Sequence, residues 1–142
     1  MDRRRFLAAA GAVGAAATGA LSGCLGARGG SAADYDVGMT ATAFAPEEVT
    51  VAVGETVVWH NNSSRTHTVT AYEGALPEGA AFFATGGFED EETAREAWWS
   101  DRGGALENGD EFSHTFEVAG TYDYVCIPHE QGGMLGTVVV EE

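Results

Sequence analysis

The chain predicts an all-β fold: a Greek-key sandwich or barrel of seven or eight strands with one short helix. Three observations carry that expectation. Short runs alternate apolar and polar residues with the two-residue period of a half-buried strand, as in Val49-Thr50-Val51-Ala52-Val53 and Phe112-Ser113-His114-Thr115-Phe116. Turn formers punctuate these runs at Gly54-Glu55, Asn61-Asn62-Ser63-Ser64, Asn108-Gly109-Asp110 and Gly120. No heptad pattern or internal repeat competes with them.

The chain has 142 residues, enough for one domain, and its first part is set apart from the fold. Residues 1–23 read as an export address. Arg3-Arg4-Arg5-Phe6-Leu7 resembles a twin-arginine signal, and the Ala- and Gly-rich run over 6–21 is short and weakly apolar beside the roughly 20 residues a spanning helix needs. Leu21-Ser22-Gly23-Cys24 looks like a lipobox, with cleavage before Cys24 and lipid on its sulfur. Lipid chains there would anchor the protein on the extracytoplasmic face of the cell membrane. An ordinary signal peptide and an uncleaved anchor are the alternatives. Residues 24–35 form a flexible Gly- and Ser-containing linker, and the domain spans 36–142.

Within the domain, Asp36–Ala43 reads as a first strand. Phe44–Val53 follows as a strand with Pro46 near its start, where proline is tolerated. Thr56–His60 places Val57 and Trp59 on one face and leaves His60 on the other. After the Asn61–Thr66 turn, Val69 and Thr70 continue as a strand. Phe82, Phe83 and Phe88 are apolar anchors in a Gly-rich stretch. Residues 89–99 predict the helix: Glu89, Asp90, Glu91 and Glu92 suit a helix start, Gly103-Gly104 lie beyond its end, and Ala94, Ala97 and Trp98 form its buried face, with Trp98-Trp99 capping the barrel end. The carboxylates lack the spacing and mid-loop glycine of a calcium loop. Phe112–Val118, Tyr122–Cys126 and Thr137–Val140 complete the strands. His114 shares the Phe112 and Phe116 face and reads as structural.

Charge narrows the function. The chain has 22 acids against seven basic residues, none of them lysine. Without residues 1–23 the count is 21 acids against four arginines, a net charge of −17. That balance repels nucleic acid and anionic membranes. Because the acids are spread along the chain, it suggests a protein suited to a salty medium rather than one with a single acidic docking patch. Screening there removes long-range steering, so docking has to rest on contact.

The chemistry sits near the C-terminus, in Cys126-Ile127-Pro128-His129-Glu130-Gln131-Gly132-Gly133-Met134. Thiolate, imidazole and thioether in a Cys-x2-His-x4-Met spacing suit copper better than calcium, magnesium or manganese. Pro128 stiffens the step to His129, and Gly132-Gly133 let the backbone reverse before Met134. The centre needs a second imidazole. His67, presented by the Asn61–Thr66 turn, is the best candidate, giving two His and one Cys in a near-trigonal plane with Met134 as weak axial ligand. Cys24 and Cys126 each have their own chemistry, which argues against a disulfide.

Phe44-x-Pro46, Val51 through Trp59, Asn61-Asn62-x4-His67, and Gly120-Thr121-Tyr122 through Met134-x-Gly136 together resemble the plastocyanin and halocyanin branch of the small blue copper proteins, the cupredoxins. The resemblance covers roughly residues 37–142. It implies one type 1 copper ion cycling between Cu(I) and Cu(II) and redox protein partners. The spare His60 and His114 are separated and lack a paired motif, so no catalysis is expected, and the expected state is a monomer. The resemblance also implies that the edge of His129 passes the electron through a dry patch near Pro128 and Leu135, and that the turn before His67 braces the copper loop. For the asparagines of that turn, bonds to the Cys126 segment and ordinary turn chemistry are equally open. Pro128 has no N–H to offer the sulfur, so the expected backbone donor is Thr68. Two functions remain: an electron shuttle, and an extracytoplasmic copper carrier or store. Colour discriminates them, since a shuttle is strongly blue and bleaches reversibly.

Overall fold

The computed structural model describes residues 34–142. The expected export segment, Cys24 and most of the expected linker lie outside the described residues. Eight strands form two four-stranded sheets. They are β1 (Val37–Met39), β2 (Phe44–Ala45), β3 (Glu48–Ala52), β4 (Thr56–Asn61), β5 (Thr70–Ala71), β6 (Glu111–Thr115), β7 (Gly120–Val125) and β8 (Leu135–Glu141), with helix α1 (Glu91–Asp101) between β5 and β6. The sheet orders are β2-β1-β4-β6 and β3-β8-β7-β5. β1 runs parallel to β4 and β3 parallel to β8, while the remaining pairs are antiparallel. Of the two architectures expected, the sandwich is the one formed, and the barrel does not close.

The strand expected over 44–53 is two strands in different sheets. Proline has no N–H to give a ladder, and the chain changes sheet across Pro46 and Glu47. Val53 falls beyond β3 and is exposed. The first strand is also shorter than expected, because Thr40 turns the chain: its hydroxyl accepts the Ala43 amide at 3.0 Å. Among the described residues no helix is long and apolar enough to cross a membrane.

The core lies between the sheets. Trp59 of β4 is fully buried and packs edge-on to Tyr124 of β7 at 5.3 Å between centroids, with Phe112 at 5.5 Å and Phe83 at 5.9 Å. Tyr124 stands opposite Gly136 of β8, where a side chain would overlap the phenol ring, so this glycine is required by close approach. The outer face of β4 carries His60, which stacks on Tyr35 at 5.1 Å and contacts Asn62 Oδ1 at 2.8 Å. His114 stacks on Phe83 at 4.6 Å, in keeping with a structural role.

Helix α1 starts two residues later than expected. Asp90 caps it, accepting the Thr93 amide at 2.8 Å. It ends at Arg102, whose φ of 62° takes the left-handed position usually left to glycine. The two tryptophans separate: Trp98 is buried, while Trp99 is 69% exposed and caps nothing. β7 and β8 pair from Gly120–Val140 up to Val125–Leu135, so residues 126–134 form the loop at one end of the sandwich. β5 pairs with the last residues of β7, which brings the chain after the Asn61 turn to that same end.

Candidate metal centre

The loop closes on itself through main-chain bonds. The Cys126 amide donates to the Met134 carbonyl at 3.1 Å, His129 to Cys126 at 3.0 Å, and Met134 to His129 at 3.2 Å. Gly133 makes the reversal with a φ of 89°, a conformation that favours glycine. The three residues expected to ligate are thus held in one compact turn.

His67 arrives from the other side. Its amide and carbonyl bond to Leu106 at 3.1 and 2.7 Å. Asn61, fully buried, organises the turn before it: Nδ2 donates to the carbonyls of Arg65 and Leu106, both at 2.8 Å, and Oδ1 accepts from the Ser63 amide and hydroxyl. Of the two explanations for the asparagines, turn chemistry is therefore the one observed for Asn61. Asn62 points to Tyr35 instead. The brace to the loop comes from Thr68, whose hydroxyl accepts the Ile127 amide at 2.8 Å. The Thr68 amide lies 3.4 Å from Cys126 Sγ, where the sulfur donor was expected.

Three donor atoms converge. His67 Nδ1 and His129 Nδ1 each lie 3.4 Å from Cys126 Sγ and 3.2 Å from each other. A point equidistant from three such corners is ~1.9 Å from each, close to the roughly 2.0–2.3 Å of transition-metal bonds to imidazole and thiolate. His67 and Cys126 are fully buried, and Met134 is 1% exposed in the same core cluster as Cys126. Among the described residues His67, Cys126 and His129 form the cluster able to hold a metal, while His60 and His114 stay apart from it. Ser63 Oγ lies 3.1 Å from His67 Nε2 and so fixes the ring with Nδ1 inward.

The electrostatics suit a soft cation. Burial pushes the Cys126 thiol up to about 11, with the Thr68 amide pulling the other way. Burial lowers both His67 and His129; the neighbouring imidazole adds to the effect at His67, and Arg65 adds to it at His129. Both effects favour the neutral ring, the form that ligates a metal. A buried thiol that ionises only with a cation beside it makes metal uptake release a proton.

One part of the site gave no sequence signal. Arg95 of α1 donates to both oxygens of Glu130, at 2.8 and 3.2 Å, and to Glu91 at 2.8 Å. The Tyr72 hydroxyl adds a bond to Glu130 at 2.7 Å. Beside this network, Trp98 packs with Val125 and Ile127, the residues flanking Cys126. The segment between β5 and β6 thus clamps the ligand loop from outside. A lone Arg within an acid-rich helix does not announce a partner 35 positions away.

Comparison with known proteins agrees with the geometry. A family model described as copper binding proteins, plastocyanin/azurin family, matches residues 32–141. The chain is 37% identical over 101 residues to a plastocyanin of Scenedesmus fuscus, covering 71% of this chain and 89% of that one. It is 32% identical to a chloroplastic plastocyanin of Tetradesmus obliquus, of which it spans 60%. Among solved structures, an oxidised amicyanin with a methionine-to-lysine substitution superposes with a TM-score of 0.56 and 30% identity, over 81% of this chain and 89% of that one. With its two-sheet sandwich and its two imidazoles and thiolate at one end, the chain belongs to the plastocyanin/azurin family of copper-binding proteins.

Proposed function

We propose that this protein is a mobile electron carrier with one type 1 copper centre, tethered outside the cytoplasmic membrane by lipid on Cys24 and passing electrons between protein partners of a respiratory or similar chain. The observation that carries the reading is the near-equilateral triangle of His67 Nδ1, His129 Nδ1 and Cys126 Sγ. When bound there, copper supplies one-electron chemistry between Cu(I) and Cu(II). The chain's part is to keep the donors still. Main-chain bonds fix the loop, Thr68 and Asn61 fix the His67 side, and α1 covers the outside. Donors that do not rearrange suit an ion whose two oxidation states prefer different geometries. Met134, buried in the same core cluster as Cys126, would be the fourth and weaker donor. His129, only partly buried, is the way out for the electron.

A copper store would have to give up its ion readily, and full burial of His67 and Cys126 opposes that. The family's plastocyanins and amicyanins support electron carriage rather than catalysis. The tether rests on Arg3-Arg4 and Leu21-Ser22-Gly23-Cys24 alone. Two measurements test the whole. Copper-loaded protein should be intensely blue, show the EPR signature of a type 1 centre, and bleach reversibly with ascorbate, whereas Cys126→Ser should be colourless. A colourless wild-type copper form overturns the function. Cys24→Ala should move the protein from membrane to soluble fraction, and an unchanged distribution overturns the tether.

A further inference from the structure

The described residues carry three arginines against 21 acids, and all three arginines touch the metal end of the sandwich. Arg95 is consumed by Glu91 and Glu130. Arg102 donates to the Thr66 hydroxyl at 2.9 Å, and that hydroxyl in turn donates to Glu107. Arg65, like Arg102, forms no ion pair with a carboxylate among the described residues; what sets it apart is its place, with its Nη2 3.3 Å from His129 Nε2.

That contact has a chemical consequence. The Nδ1 of His129 faces the sulfur and the other imidazole. With Nδ1 engaged by the metal, the neutral ring carries its proton on Nε2, so this edge is a donor. A guanidinium has donors only. Two donors then face each other at hydrogen-bond distance, and a shared acceptor between them satisfies both. The carboxylate adjacent in sequence does not fill this role, because Glu130 is drawn away by Arg95 and Tyr72.

We infer that Arg65 and the Nε2–H of His129 form a two-pronged seat for a carboxylate of the electron-transfer partner, which places that partner's acidic group directly over the half-buried His129. The inference rests on the copper reading above. Charge complementarity selects the occupant. A basic partner finds acids spread along the chain, whereas an acidic group finds, directly beside His129, Arg65 with no carboxylate ion pair among the described residues. In strong salt, where repulsion between acidic surfaces is screened within about 3 Å, such a contact pair can decide the orientation.

The test uses zinc-loaded protein, which is redox-silent, titrated with hexaglutamate at about 1 M salt, where only contact pairs persist. NMR should show the Arg65 side chain and the His129 ring N–H shifting. Arg65→Gln should abolish the shifts. Thr121→Glu should not, although it lowers the net charge equally; it lies on exposed β7 backbone about 16 Å along the strand from Cys126. In the copper form, ferricyanide takes one electron from the reduced centre. Arg65→Gln should slow that step about two- to fivefold, the size expected of an exposed ion pair, and leave oxidation by cationic tris(phenanthroline)cobalt(III) no slower. Shifts elsewhere, or equal effects of the two substitutions, overturn the seat. A colourless copper form would sink the function while leaving the zinc titration interpretable, and a blue protein indifferent to Arg65→Gln would sink the seat alone.

Discussion

Thr68 touches the ligand loop twice, with its amide toward Cys126 Sγ and its hydroxyl on the Ile127 amide. The two contacts separate by substitution. Thr68→Ala keeps the backbone donor to sulfur and orphans a buried amide, which costs about 1–3 kcal/mol. The urea midpoint of the metal-free protein should fall accordingly while the blue band of the copper form persists; an unchanged midpoint would mean that water replaces the hydroxyl. Met134 separates in another way. Its amide and carbonyl help close the loop whatever its side chain, so Met134→Leu should leave copper bound and the protein blue. Replacing a thioether by a hydrocarbon would remove the weak fourth donor and should raise the reduction potential, measured by voltammetry. Loss of copper would show that Met134 holds the ion rather than tunes it.

At the scale of elements, helix α1 is tied to the site by charge and by packing. Arg95→Ala removes a two-oxygen contact to Glu130 and leaves Trp98 on Val125 and Ile127. Both charged groups are partly solvated, so the loss in stability should be about 1 kcal/mol or less. The sharper readout is a rise in the copper release rate, because Glu130, beside the ligand His129, keeps only its Tyr72 bond while Cys126 stays covered; a release rate equal to wild type would make α1 a bystander. This network also marks where the sequence stopped being informative. His67, Cys126, His129 and Met134 were legible because ligand types and their spacing are set by the ion, and Trp59 because burial follows the strand period. The Arg95–Glu130 contact depends on where the long connection between β5 and β6 folds back, which no local period encodes. The split of residues 44–53 between two sheets had a visible cause in Pro46, but the alternation of valines on one side of it suggested continuity. Likewise Trp98 and Trp99 look alike in sequence, yet helix rotation buries one and exposes the other.

For the whole molecule, charge and buried imidazoles push stability in opposite directions as conditions change. Residues 34–142 carry a net charge of −18, so self-repulsion weakens the folded state at low ionic strength. Raising salt from about 0.1 M to about 1 M shortens the Debye length from about 10 Å to about 3 Å, and the melting temperature should climb by several degrees; a flat response would mean that the acids are spaced too widely to repel. Acidification tests the imidazoles. Burial lowers His67, His114 and His129 below the ordinary value of 6.5, partly offset at His114 by Glu117. Below pH 6.5 the unfolded chain therefore takes up these protons before the folded one does. Their contribution to stability is intact above that pH and is lost as pH falls through the folded-state values. Metal-free protein held at about 1 M salt, where repulsion is screened, should have a lower urea midpoint at about pH 5.5 than at about pH 7.5. His114→Gln should shrink that drop without touching the site, leaving the part that belongs to His67 and His129. A midpoint that rises on acidification would show instead that carboxylate repulsion outweighs the cost of charging the buried rings.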